Sequence, residues 1–512
     1  MKNHFSNVVF IVLDTHRADR LGCYGYSRGT SPNIDAFAQK ATLFENAIAP
    51  AQWTIPTHAS MFSGEYPATH HTIQAGDALS EDFPTLAQYF HKTGYRTIGF
   101  CNNPLVGLLD NGFRRGFQEF YNYGGTVPSK PSTNGHQPPT LFAKIHAQYL
   151  KVIDRIATPI QQAVATSPEV FQLVLNPLLV PLWTRYANFK GDTLASIRDT
   201  ARHVQHWDSQ PQFVFLNLMG THLPYAPPKK FIQSFAPAVL DEPEAQDFIQ
   251  TYNTQALHWL LPLEKPYPAL EAQTLNDMYD AEVAYQDHLL HQLLATLEQP
   301  EHRDNTVVII VGDHGEMLGE HQIMGHGIGV HQELVHVPLM IRFPGQETDH
   351  RVKKAVSTMH IFHTLLDVAG INSDKINHGT LSGHSLKNPD ALPEIIFSEA
   401  YTPITLLKII QKYSPNLMNS FHCASPRWAV YNNPYKLIRT ENAYDNLFNY
   451  LEDPQEKDHL SSKTDCMKKM GTELEAFLAA AKFRGSESLQ GSAANLEDED
   501  VLNRLRGLGY IE

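Results

Sequence analysis

VVFIVLD, Val8 to Asp14, is a run of apolar residues closed by an acid. It is rich in β-branched side chains and too short for a helix. It therefore reads as a strand buried on both faces, the kind found in parallel sheets. In such sheets chemistry gathers at the carboxyl ends of the strands, which makes Asp14 the first candidate site residue. The run is also too short for a secretory signal, and no small-residue cleavage site follows it.

Similar runs recur outward from this one. Tyr95 to Phe100, Gln212 to Leu218, Thr306 to Val311 and Val337 to Phe343 read as strands, and Ser31 to Lys40, Phe83 to Thr93 and Asn276 to Leu297 carry helical patterns. The alternation predicts an α/β fold with a largely parallel sheet. The polar residues just beyond its strands are Asp14, Asn102, His222 and the pair Asp313-His314.

Composition narrows the function classes. The 512 residues are 42% hydrophobic and 18% charged, enough apolar material for a large core. A net charge of −14 makes nucleic acid or an anionic membrane a poor partner by charge alone. Four scattered cysteines without a CxxC pair exclude a disulfide scaffold and suit a reducing compartment. No run reaches the ~18 to 20 apolar residues of a membrane span, so a cytoplasmic location is expected.

Domain organisation follows from local texture. Residues 1–390 read as one catalytic domain. Within it, about 124–210 forms a helical insertion that opens on Gly124-Gly125 and a Pro/Ser-rich stretch. Its apolar segment Val170 to Trp183 offers a packing surface, a homo-oligomer contact or a lid. Residues 391–512 read as a smaller antiparallel α+β unit, with short strands at Ile395 to Ser398, Trp428 to Tyr431, Tyr435 to Arg439 and Asn446 to Asn449, and a helix from about Thr472 to Lys482.

Two elements carry chemistry. Asp14, Asp313 and His314, brought together by parallel topology, offer hard oxygen and borderline nitrogen to one divalent cation. In WTIPTHASMFSG, Trp53 to Gly64, a Pro that starts a helix places Thr54 at the helix N-terminus, where backbone N–H groups and the macrodipole favour an anion. Each element alone is equally explained by ordinary helix caps and a solvated histidine.

Together they resemble a family. VVFIVLDTHRADRLGCYGY is similar to the N-terminus of sulfatases, within the alkaline phosphatase superfamily, and TIPTHASMFSG to their nucleophile signature. THLPY (Thr221 to Tyr225), GDHGEMLGEHQIMGHG (Gly312 to Gly327), YDAEVAYQD, VPLMIRFPG, HTLLDVAG, YLEDPQE and RLRGLGYIE follow in family order. The resemblance implies an alkaline-phosphatase-like three-layer sandwich with a largely parallel central sheet and a metal-dependent hydrolase of sulfate or phosphate esters that acts on a small-molecule ester. It places Asp14, Asp313, His314 and the Thr54 hydroxyl around one divalent ion and makes Thr54 the nucleophile. Asn102 and His326 would hold the non-bridging oxygens. His222 would protonate the leaving group, and His58 would complete the catalytic set.

The departures from the family pattern are informative. Typical sulfatases carry Cys or Ser at position 54, which becomes formylglycine. Threonine cannot yield that aldehyde, and this shifts the expectation toward phosphodiesters or phosphonates and a covalent Thr54 intermediate. Thr15 stands where a second Asp is usual and His314 where Asn is common, which favours Mn, Zn or Fe over Ca. Asn102 falls where a Lys is usual. Arg17 and Asp19 are expected to brace the first loop, and Asp287 to His291 to pack. Alternatives are a transferase with an alcohol acceptor, whose relatives are mostly membrane-anchored, and a binding protein that kept the fold.

Overall fold

A computed structural model describes residues 6–124, 190–255, 257–371 and 384–492. Its strands are β1 (Asn7–Leu13), β2 (Thr42–Ile48), β3 (Arg96–Cys101), β4 (Glu119–Asn122), β5 (Gln212–Leu218), β6 (Thr306–Gly312), β7 (Met317–Leu318), β8 (Met324–Gly325), β9 (Leu339–Arg342), β10 (His350–Ser357), β11 (Ile395–Ala400), β12 (Arg427–Asn432), β13 (Tyr435–Thr440) and β14 (Asp445–Asn449). Eight form one sheet in the order β10-β2-β9-β6-β1-β5-β3-β4. Only β9 runs against the others, pairing antiparallel with both β2 and β6. The expected strand at Val337 to Phe343 is thus present as the one reversed member.

β1 lies at the centre, and its side chains alternate between two cores. Val9, Ile11 and Leu13 face a layer built by the helices Pro32–Ala38, Thr193–Gln205 and Ala269–Leu297. Val8, Phe10 and Val12 face a layer built by Thr54–Ser63, Leu86–Lys92 and His360–Val368. Full burial of each such side chain contributes about 1.5–3 kcal/mol, so the unbroken apolar run makes β1 the anchor of both cores. This is the three-layer α/β sandwich expected, with helices on both faces.

Three sheet strands escape simple patterning. β2 is interrupted by Glu45-Asn46, and β10 is an edge strand rich in His, Arg and Lys, as edges that must resist pairing often are. β4 has four residues and sits at the other edge. The expected insertion falls mostly outside the described residues, as does its apolar 170–183 segment. Its described C-terminal part, Thr193–Gln205, belongs to the sandwich, because Ala195, Ile197, Ala201 and Val204 are buried in the β1 core.

β11 to β14 form the expected second sheet, an antiparallel meander. One face shares an apolar cluster with the main domain, where Ile396, Ala429 and Tyr431 meet Ile48 and Val335. The other face packs Met470 and Leu474 of a helix that begins at Thr464, earlier than the expected Thr472. Two helices between β11 and β12, Ile404–Tyr413 and Pro415–Ser420, were not anticipated. Among the described residues no helix is long and apolar enough to cross a membrane.

Candidate active site and metal centre

Adjacent strands β6, β1, β5 and β3 end at the same edge of the sheet. The registers Leu13↔Gly312, Leu13↔Leu218 and Cys101↔Asn217 align those ends. Asp14, Asp313 and the loops after Cys101 and Leu218 therefore converge without any long-range adjustment. Gly315 permits the tight exit from β6, since a Cβ there would lie 1.9 Å from the Glu333 carbonyl oxygen.

Asp14, Asp313 and His314 are fully buried and present one ligand atom each, all within 4.8 Å of one another. The backbone N–H groups of His314 (2.8 Å) and Thr15 (3.2 Å) donate to Asp313 Oδ1, which turns Oδ2 inward. Asp14 Oδ1 and Asp313 Oδ2 accept no hydrogen bond among the described residues. His314 Nδ1 lies 2.9 Å from the Gly315 carbonyl, which assigns its proton to that nitrogen and leaves the Nε2 lone pair facing Asp313 Oδ2 (3.6 Å) and Asp14 Oδ1 (3.9 Å). Burial, eased by the Asn103 hydrogen bond, pushes the Asp14 carboxyl up to about 7. Burial and then the Asp14 charge push Asp313 well above its ordinary value. Two orphaned buried carboxylate oxygens and an inward imidazole lone pair are a poor arrangement alone and a good one around a cation. The residues fit a divalent metal ion.

Thr54 begins the helix Thr54–Ser63 as expected. The helix ends at Gly64, whose φ of 73° is the left-handed cap that glycine supplies without strain. Thr54 Oγ1 lies 3.3 Å from His314 Nε2 and 3.4 Å from Asn103 Nδ2. The hydroxyl thus stands beside the triad, at the positive end of a buried helix.

Histidines surround this hydroxyl in distinct roles. His326 Nδ1 pairs with Glu316 Oε1 at 2.9 Å, and its ring lies 4.6 Å from His314 and 5.2 Å from His222. Burial opposes its charge, but the Glu316 carboxylate overcomes that and raises it above the ordinary value. His222 is the converse. Burial, with the His326 charge adding to it, holds His222 down at about 3, and its Nδ1 is turned to the Leu223 carbonyl at 2.8 Å. Burial thus disfavours the charged imidazolium at His222, the residue expected from the sequence to protonate the leaving group. His58 is buried among Phe62, Phe113 and Phe215, and burial takes it down to about 4. Its Nδ1 meets the Thr54 carbonyl at 2.9 Å and lies 3.6 Å from Asp313 Oδ2, so it braces the first helical turn.

Asn102 does not join this group. Its amide donates to the Lys190 carbonyl at 3.1 Å. The next residue, Asn103, donates to Asp14 Oδ2 at 2.5 Å as well as facing Thr54. The strand ends one residue later than its apolar run suggests, because Cys101 continues β3. The Thr15 hydroxyl is spent on the Asp14 carbonyl at 2.7 Å, away from the triad. Arg17 braces the first loop as expected, bonding Asp19 and also Glu320 at 2.7 Å. Asp287 packs as expected, accepting from the Asn33 and Ile34 backbone. Sequence reasoning missed Asn103, Glu316 and Lys190. The first follows Asn102 in a loop that has no periodicity to say which amide turns inward. Glu316 sits in the quoted GDHGEMLGEH but has no spacing signal of its own, and Lys190 lies at the end of a stretch without motifs. Lys190 pairs with Glu282 at 2.7 Å and adds positive potential at His222.

The fold and the Asp14–Asp313–His314 triad define a metal-dependent ester hydrolase of the alkaline phosphatase superfamily. The family model described as "Sulfatase" matches residues 6–371, and the chain belongs to the sulfatase family. It is 25% identical over 378 residues to the uncharacterized sulfatase YidJ of Escherichia coli (strain K12), covering 73% of this chain and 69% of that one. It is 25% identical over 374 residues to iduronate 2-sulfatase of Homo sapiens, covering 66% of this chain and 60% of the relative. The structure resembles phosphonate monoester hydrolase of Agrobacterium radiobacter with TM-score 0.61 and 19% identity, over 94% of this chain and 96% of that one.

Proposed function

We propose that the protein hydrolyses phosphodiesters or phosphonate monoesters, with sulfate esters as the second substrate class, through a covalent intermediate on Thr54. The observation that carries this is the Thr54 hydroxyl itself: a threonine, unable to become formylglycine, standing at a helix N-terminus 3.3 Å from His314 Nε2. The similarity to a phosphonate monoester hydrolase and to sulfatases supports the same range of substrates.

Asp14, Asp313 and His314 would hold one divalent ion, Mn, Zn or Fe in preference to Ca. Bound there, the ion would neutralise charge on the transferred group and favour the ionised Thr54 hydroxyl. Thr54 Oγ1, its proton released to solvent, attacks phosphorus in line, forming an O–P bond as the bond to the leaving oxygen breaks and that oxygen takes up a proton. Asn103 Nδ2 orients both Thr54 Oγ1 and Asp14 Oδ2. His326, held by Glu316, faces the anion as donor to a non-bridging or leaving oxygen. His222 would orient the water that cleaves the phosphothreonine by accepting a hydrogen bond from it. His58 positions Thr54 through its carbonyl.

The test is turnover of an aryl sulfate, an aryl phosphate monoester and a diaryl phosphodiester by metal-loaded protein, beside Thr54→Ala. Diester turnover that vanishes in the variant, with a phosphorylated Thr54 peptide trapped by acid quench in the wild type, is expected. A Thr54→Ala protein as active as wild type would remove the covalent mechanism.

A further inference from the structure

A second group of metal-ligating side chains lies outside the active site. His321, His331 and Glu456 bring one ligand atom each within 4.8 Å of one another. His331 Nδ1 is 2.7 Å from Glu456 Oε2, and the rings of His321 and His331 stack at 4.0 Å with 13° between their planes. A fourth donor faces them: Glu333 Oε2 lies 3.8 Å from His321 Nε2. That oxygen belongs to a side chain more than nine-tenths buried and accepts no hydrogen bond among the described residues. His321 is held with φ of 52°, in the left-handed region that a non-glycine residue seldom adopts.

We propose that His321, His331, Glu333 and Glu456 form a second site for a divalent transition-metal ion, distinct from the Asp14–Asp313–His314 centre. Two imidazoles and two carboxylates are a donor set for Zn, Co, Fe or Mn, whereas Ca and Mg take mainly oxygen. Tetrahedral ligation with bonds of ~2.0–2.2 Å needs donors about 3.4 Å apart, so the group contracts on binding and the two rings unstack. Lys436 is consistent with this. Its ammonium bonds Glu456 Oε1 and the Val330 carbonyl, which fixes the carboxylate with Oε2 toward the histidines. Partners that orient a ligating carboxylate in this way are usual around metal sites. With both carboxylates ionised, the pocket carries −2 + 1 = −1 across Glu333, Glu456 and Lys436.

The location gives the ion a task. His321 and His331 flank His326 on the loop that follows β6, while Glu456 comes from the segment after β14. An ion at this point would clamp the loop that presents His326 to the second sheet.

The experiment uses full-length protein stripped with a chelator, reloaded with Co(II) or Zn(II), desalted, and analysed for bound metal. Wild type is expected to bind two equivalents per chain, with Co(II) giving ligand-field absorption from both. Asp14→Asn and His321→Asn should each keep one, with different Co(II) spectra, and the double variant none. Glu333→Gln, nearly isosteric, repeats the His321 test should that variant fold poorly. One equivalent in wild type and none in Asp14→Asn would overturn the proposal. So would two equivalents retained in both His321→Asn and Glu333→Gln.

Discussion

Asn103→Ala, beside Asn102→Ala, discriminates between the geometry and the sequence expectation. Asn103 Nδ2 donates to the buried Asp14 Oδ2 at 2.5 Å and lies 3.4 Å from Thr54 Oγ1. A hydrogen bond to a charged group is worth about 1.5–3 kcal/mol, which at 1.36 kcal/mol per decade is roughly a 10- to 150-fold fall in kcat/KM. Asn103 also caps the short helix Pro104–Gly107 through Oδ1, with Leu105 N at 2.8 Å. Asn103→Asp separates the two roles, because it keeps the cap acceptor and sets a second carboxylate against Asp14. Its turnover should fall at least as far as that of Asn103→Ala. Asn102→Ala loses the bond to the Lys190 carbonyl, costing about 0.5–1.5 kcal/mol of stability and less than about threefold in turnover. The assay is steady-state diester hydrolysis with metal in excess, with circular dichroism confirming the fold. A larger loss in Asn102→Ala than in Asn103→Ala would refute the reasoning.

Three further outcomes follow from buried charges. In chelator, Asp313→Asn should melt no lower than wild type, although inactive, because it removes one of two buried carboxylates that face each other; a fall of several degrees by calorimetry would contradict this. Glu399, fully buried between Ala68 N and the Tyr401 hydroxyl, is pushed by burial up to about 7. Its folded value exceeds the unfolded one, so its stability contribution is complete below pH ~4.5 and fades as pH rises through 7, by about 3 kcal/mol at full ionisation. Glu399→Gln should accordingly flatten the decline in Tm between pH 5 and 8, and an unchanged slope would discard that assignment. Lys190→Met strands Glu282 and should cost about 3–5 kcal/mol in urea unfolding, most of it recovered by adding Glu282→Gln.

Much of the fold was legible because β1 and β6 carry unbroken apolar runs and β5 carries Phe213 to Leu216, and a run apolar on both faces has few alternatives to a central parallel strand. The site followed from the same feature, since Asp14 and Asp313 stand at the ends of those runs. What escaped was set by tertiary context. β2 and β10 carry polar residues that only their sheet positions excuse. Asn102 and Asn103 both lie in the loop just beyond β3, where no strand periodicity says which of two adjacent amides turns to the site. The protonation roles of His222 and His326 were likewise beyond the sequence. Both are motif histidines, and only the Glu316 carboxylate 2.9 Å from His326 favours its charge, where burial disfavours that of His222.

That carboxylate bears on substrate choice. A divalent ion would be balanced by Asp14 and Asp313, and a His326 cation is balanced by Glu316. Lys190, the cation missing from the end of β3, arrives from another part of the chain already paired with Glu282. The site's formal charge is therefore close to zero, and its attraction for an anion comes from oriented donors: the N-terminus of the Thr54 helix, Asn103 and His326. Such a site suits esters that carry one negative charge, namely phosphodiesters, phosphonate monoesters and sulfate monoesters. A phosphate monoester, with close to two charges at neutral pH, would lack the second fixed cation it needs. On the proposed reading, sulfate monoesters and the diesters expected of a threonine nucleophile share that single charge, which is the property by which one site would accept both.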